Sequence, residues 1–174
     1  MKKSLLVAIS LLLAACLGMP KTVTPVGNFD QRRYLGKWYE IARLDHSFER
    51  GLVRVTAEYA PREDGGISVT NRGYSPVDGE WKQAEGKAYA VGDPGQAYLK
   101  VSFFGPFYGS YVVFELDPDY RYAFISGPNR SYLWLLSRTP TVDDELIDRF
   151  VDEARRRGFD TDELIFVDQS PPSG

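Results

Sequence analysis

Cysteine, histidine and methionine are scarce in these 174 residues: there is one cysteine, one histidine and two methionines. A lone Cys16 excludes a disulfide within the chain and any paired-thiol chemistry in the folded domain. A lone His46 excludes a histidine metal site, and the sequence has no G-x-S-x-G elbow on which to build a nucleophile. No metal and no cofactor are therefore expected. The only sustained apolar run, Leu5 to Ala15, is too short to span a bilayer. A formal charge of −3 without a basic block argues against nucleic acid as a partner. What is plentiful is aromatic surface, with 11 tyrosines, 10 phenylalanines and 3 tryptophans. So many rings must be buried together or must line something.

The chain opens MKKSLLVAISLLLAAC, two lysines followed by the short apolar run and small residues, which reads as a secretory signal over residues 1–15. Leu13-Ala14-Ala15-Cys16 resembles the lipobox of bacterial lipoproteins, and the resemblance implies that Cys16 becomes the lipidated first residue. Leu17 is not the aspartate that holds lipoproteins of enteric bacteria at the inner membrane. The expected location is thus the outer membrane, facing the periplasm, with the membrane contacted through Cys16. Removing residues 1–15 leaves 159 residues, and losing Lys2 and Lys3 moves the formal charge from −3 to −5. That length suits one domain with a real core. Residues 16–28, with Pro20 and Pro25, read as a tether, and residues 29–170 as the folded domain.

From Gly36 to Thr139 the sequence reads as eight strands separated by turn chemistry such as REDGG, SPVDG, GDPGQ, GPFYG, DPDY and GPNR. Successive antiparallel strands with short links predict an all-β, eight-stranded up-and-down barrel, which removes its edges by closing. A sandwich is the alternative, but it usually needs a longer crossover. One helix is expected at 141–157, with Thr141 as N-cap and an apolar stripe at 146, 147, 150, 151 and 154 that packs outside the barrel. LIFVDQ reads as a short terminal strand.

Gly36-Lys37-Trp38-Tyr39 resembles the G-x-W signature of the lipocalin family. Asp117-Pro118-Asp119-Tyr120 is similar to that family's second motif, with Pro118 where threonine is usual, and Arg138 in LLSRTP to its third. The lipobox together with GKWYEIAR, KVSFFGPFYG and LSRTP looks most like the bacterial outer-membrane lipocalins. The resemblance implies that Trp38 plugs one end of the barrel, with the Arg138 guanidinium across its indole and bonded to backbone carbonyls. Strand direction agrees, because alternating strands carry Trp38, DPDY and Arg138 to the same end. The same reasoning sends LDHSFERG, SPVDG, FGPFYG and GPNR to the other end, where they ring a mouth and put His46 on its rim rather than in a catalytic pocket.

Alternation assigns inward, ligand-binding positions to Val53, Val55, Ala57 and Tyr59, to Leu99, Val101 and Phe103, and to Tyr132, Trp134 and Leu136, with Tyr122 and Phe124 joining them. The sixth strand stays open between Tyr111, Val113 and Glu115 on one face and Val112, Phe114 and Leu116 on the other. Phe48, Phe104, Phe107 and Tyr108 are expected to form an apolar rim, with Arg50, Arg130 and Lys82 as its cations. An apolar pocket under a partly cationic rim suits one single-chain amphiphile, a lysophospholipid or fatty acid, that is stored or transported for envelope maintenance, and the family resemblance implies the same. Two alternatives stand beside this carrier reading. One is a structural lipoprotein with a filled barrel. The other is a lipid-modifying enzyme, for which Glu40, or Glu115 in one register, would supply acid–base chemistry. The oligomeric state stays open, a homodimer included.

Overall fold

A computed structural model describes residues 17–171, so the signal read in residues 1–15 and the lipidation read at Cys16 lie outside the described residues. A one-turn helix α1 (Gln31–Tyr34) precedes β1 (Gly36–Arg43), β2 (Val53–Pro61), β3 (Ile67–Ser75), β4 (Glu80–Ala90), β5 (Tyr98–Phe104), β6 (Phe107–Leu116), β7 (Tyr122–Ser126) and β8 (Leu133–Ser137). Each strand pairs antiparallel with the next, and β1 pairs with both β2 and β8. The sheet therefore closes into an eight-stranded barrel with no open edge among these strands. A further strand, β9 (Ile165–Phe166), pairs with the end of β1. Just beyond it the Gln169 side-chain amide donates to the carbonyls of Glu40 and Val55 at 2.7 and 2.9 Å, which ties β1 to β2.

Helix α2 (Asp144–Arg156) packs on the outer face, where Phe150 and Ala154 meet Phe124, Leu133 and Leu135. The Phe150 and Phe124 rings lie 5.0 Å apart, edge to face. The expected start at Thr141 is corrected: Asp143 is the N-cap, and its carboxylate accepts the Leu146 N–H at 2.9 Å. Both residues are good caps. Asp143 is the one that leaves Asp144 and Glu145 in the first turn, where the helix dipole favours them.

Bulges in β1, β2 and β6 reverse the alternation partway along each strand. In β1, Trp38 and Glu40 face inward, but the extra residue at Ile41 makes Arg43 the next inward side chain in place of Ala42. In β2, Arg54 takes a left-handed conformation (φ 51°), and Val53 pairs opposite Tyr74 on the outer face. The inward position expected for Val53 is thereby corrected. In β6 the bulge splits both candidate faces. Tyr111, Val113 and Leu116 belong to the interior, whereas Val112 and Phe114 turn outward and Glu115 reaches Arg149 of α2. Tyr122 and Phe124 are also corrected to the outside, because α2 needs an apolar landing there, and Ala123 and Ile125 fill the interior instead.

Candidate ligand-binding site

One end of the barrel is shut by motif residues. Trp38 is fully buried, and its indole N–H donates to the Tyr34 carbonyl at 2.9 Å. The Arg138 guanidinium sits 3.9 Å from the indole centre. It donates to the carbonyls of Tyr120, Lys37, Arg33 and Leu35 at 3.2, 3.0, 2.8 and 2.9 Å. One side chain thus ties the 117–121 turn to the α1–β1 entry. Above Trp38 the hydroxyls of Tyr34 and Tyr59 each meet that of Tyr111, at 2.6 and 2.9 Å. Burial pushes all three phenols well above their usual range, so they stay neutral. This tyrosine layer floors the barrel.

The mouth half is hollow. A cavity of ≈ 660 Å³ is lined by Leu52, Val55, Gly73, Ala84 and Phe103, with Asn71, Ser75 and Glu49 as polar contacts and Phe48, Arg50, Val77, Lys82 and Phe104 around its entrance. A volume of this size falls within the range of small-molecule sites. Small residues make the room. Ala84 is one of them, whereas Gly73 lets Leu52 and Val55 pack close against β3, where a Cβ would come within 3.0 to 3.2 Å of them. The side-chain oxygen of Asn71 is buried without a protein donor, which offers a ligand hydroxyl or amine an acceptor.

Of the expected lining, Val55, Phe103, Phe48, Arg50, Phe104 and Lys82 border this cavity. Ala57, Tyr59, Leu99, Val101 and Leu136 face inward but pack into the filled lower half, outside the cavity wall. Tyr108, Arg130, Trp134 and Tyr132 are corrected. Tyr108 lies on the outer face beneath Lys100, 4.9 Å from ring centre to ammonium. Phe107 keeps its place on the rim, at the exposed tip of the β5–β6 turn, but does not border the cavity. Arg130 turns to α2, where its Nε donates to the Arg157 carbonyl at 3.0 Å. Trp134 and Tyr132 stack around His46 rather than lining the cavity. The residues that sequence reasoning missed, Asn71, Gly73, Ser75 and Ala84, sit on β3 and β4. Their alternation is regular, since Asn71 pairs with Ala84 and Gly73 with Lys82; the signal was present but too polar to read as an apolar wall.

A buried polar cluster borders the cavity beside β1. Arg43, 1% exposed, donates to Glu40 at 2.8 Å and to the Glu49 carbonyl at 2.9 Å. The Glu49 carboxylate accepts from the Trp134 indole at 3.1 Å and lies 3.2 Å from His46 Nε2, without the alignment of a hydrogen bond. Burial first, and then the Glu49 charge, push the Glu40 carboxyl well above the usual carboxylate range against the pull of Arg43. His46 lies in the β1–β2 loop at the mouth end, as strand direction expects, but its side chain is not open to solvent. It is buried, stacked on Phe48 at 4.7 Å and Tyr132 at 5.2 Å. Among the described residues no group of three or more His, Cys, Asp or Glu side chains is arranged to hold a metal ion. A second hollow, of ≈ 690 Å³, lies outside the barrel between the closed end and α2, and its walls carry the Asp117–Arg121 pair and Arg149.

A closed antiparallel barrel, floored at one end and hollow at the other, defines a protein that encloses a small apolar ligand. Comparison with known proteins narrows this class: the chain belongs to the lipocalin family, and the lipocalin-like domain model matches residues 29–169. It is 65% identical over 170 residues to the outer membrane lipoprotein Blc of Vibrio cholerae, covering 97% of this chain and 99% of that one. It is 59% identical over 150 residues to the Blc of Escherichia coli K12, covering 86% and 85%. Among solved structures, insecticyanin from the tobacco hornworm Manduca sexta superposes with a TM-score of 0.70 over 88% of this chain and 87% of that one. At 24% identity, that likeness is one of fold.

Proposed function

We propose that this chain is a lipid-anchored, non-enzymatic carrier of the outer membrane that holds one single-chain amphiphile, a lysophospholipid or fatty acid, tail downward in the barrel. The observation that carries the reading is the ≈ 660 Å³ cavity above the tyrosine floor. At roughly 30 Å³ for a group the size of water, that volume accepts about twenty such groups, enough for one acyl chain and part of its head and too few for two chains. Burying about a dozen methylenes yields about 10 kcal/mol gross at roughly 0.8 kcal/mol each. Association costs of about 4 to 15 kcal/mol offset much of this and point to micromolar or somewhat tighter binding.

The anchor reading rests on Leu13-Ala14-Ala15-Cys16 and on the relatives, whose names describe outer membrane lipoproteins. The non-enzymatic reading rests on the polar cluster. Arg43 is taken up by Glu40, Glu49 by Trp134, and His46 by the rings on its two faces, which is the pattern of a structural network. Adding a fluorescent fatty acid to delipidated protein tests the proposal. Stoichiometric uptake is expected; no uptake would instead support a filled structural barrel, and conversion of the lipid an enzyme.

A further inference from the structure

The apolar side chains that the fold leaves exposed are concentrated at one end. Phe48, Val77, Trp81, Phe104 and Phe107 are 60, 93, 46, 81 and 68% exposed, and all five lie on the loops or strand ends that surround the mouth. They are five of the eight large apolar side chains exposed among the described residues, and Leu17 is a sixth. The closed-end turns, 62–66, 91–97, 117–121 and 138–143, contribute none of the eight and carry instead charged pairs such as Arg62–Asp64 and Asp117–Arg121. A patch so confined marks a surface made to be covered.

The start of the described chain supplies an independent observation. Gly18 lies against the Pro128 carbonyl, in the β7–β8 loop at the mouth end. The Thr22 hydroxyl donates at 2.7 Å to the carbonyl of Arg157, the same carbonyl that Arg130 of that loop holds. From there the chain descends the barrel, bonding to Val113 and Ala97 through Val26 and to Gly95 through Phe29. Leu17, one peptide bond from Cys16, therefore leaves the domain at the mouth and not at the floor.

We propose that the mouth docks into the membrane leaflet that carries the anchor, with Phe48, Val77, Phe104 and Phe107 entering the boundary between headgroups and acyl chains. The cavity then opens onto lipid, and a single-chain amphiphile passes between leaflet and barrel without crossing water. The rim suits that surface. Arg50 holds Asp45 at 2.7 Å and Lys82 holds Asp78, so these carboxylates do not present unpaired charge to lipid phosphates. A leaflet is favoured over a second copy of the chain because the anchor emerges at this same end, where a copy would have to fit between domain and membrane. The proposal rests on lipidation of Cys16.

The test uses the full-length lipidated protein in vesicles of phosphatidylethanolamine and phosphatidylglycerol. With Cys16 acylated, an introduced cysteine is the only free thiol, so Phe107→Cys at the mouth and Asp119→Cys at the closed end can each carry an environment-sensitive fluorophore. Docking predicts a blue shift and strong quenching by spin-labelled lipid at 107, and neither at 119. Equal quenching at both sites, or none at 107 in protein that floats with the vesicles, overturns the docking while leaving the anchor intact. Protein that does not float overturns the anchor and the docking with it. A label at 107 that is shielded from aqueous quencher but untouched by spin-labelled lipid means that a second copy covers the mouth, and this also overturns the proposal.

Discussion

Replacing Arg138 by alanine tests how the barrel is closed. The guanidinium serves four carbonyls and covers the indole of Trp38. The carbonyls of Arg33 and Lys37 lie in exposed bonds and can turn to water, whereas those of Tyr120 and Leu35 are part-buried. Leaving a buried acceptor unpaired costs about 1 to 3 kcal/mol, and the cation–π contact adds about 0.5 to 2 kcal/mol. Allowing for partial resolvation, the expected loss is about 2 to 4 kcal/mol, or about 5 to 15 °C in Tm for a domain of this size. Arg138→Lys should fall between wild type and alanine, since an ammonium keeps the charge but cannot span the four acceptors. Thermal melts and urea titrations read the stability, and a fluorescent fatty acid reads the cavity, whose affinity should be unchanged because the closure lies beneath the tyrosine floor. An unchanged denaturant midpoint in Arg138→Ala would refute the closing role.

Three further outcomes are expected. Folding holds the Glu40 proton more tightly than the unfolded chain does, so its contribution is full below the ordinary carboxylate pKa and is lost as pH rises towards the raised value, by at most about 1.4 kcal/mol per pH unit. Glu40→Gln should flatten that decline in urea titrations across pH, and an unaltered slope would count against an upward shift at Glu40. Phe150→Ala should cost about 3 to 5 kcal/mol through the cavity left beneath α2 and leave fatty-acid uptake intact; lost uptake in a folded variant would show that the helix shapes the site. Arg50→Ala combined with Lys82→Ala should weaken a lysophospholipid more than an uncharged monoglyceride of equal chain length. The difference should be about 1 kcal/mol or less per cation, because both are exposed and already paired. Calorimetry would decide, with equal losses removing any role of rim charge.

The barrel, its helix and its two ends were legible because they depend on strand count, turn chemistry and strand direction, none of which needs a side chain to be placed. Strand direction carries Arg138 to the same end as Trp38, and the resemblance to the family's motifs implied the contact between them. What alternation could not reveal were the bulges. One extra residue at Ile41 brings Arg43 into the barrel, and another near Phe114 sends Glu115 out to Arg149. The β7 strand is apolar on both faces, so the pattern could not show that Phe124 belongs under α2 and Ile125 inside. The cavity wall was hidden for the opposite reason: Asn71, Gly73, Ser75 and Ala84 are small or polar, and do not read as an apolar lining.

The central claim is that the space above the tyrosine floor holds one single-chain lipid, and a native mass spectrum of the intact protein tests it most directly when read beside a variant with that space filled. Ala84 faces the cavity, so Ala84→Trp should occupy it while leaving the closed end untouched. Wild-type protein given equal amounts of lysophospholipid and diacyl phospholipid is predicted to show a single adduct of lysophospholipid mass, which the folded Ala84→Trp variant lacks. Equal adducts on both proteins, or a diacyl lipid bound in preference, would contradict the account.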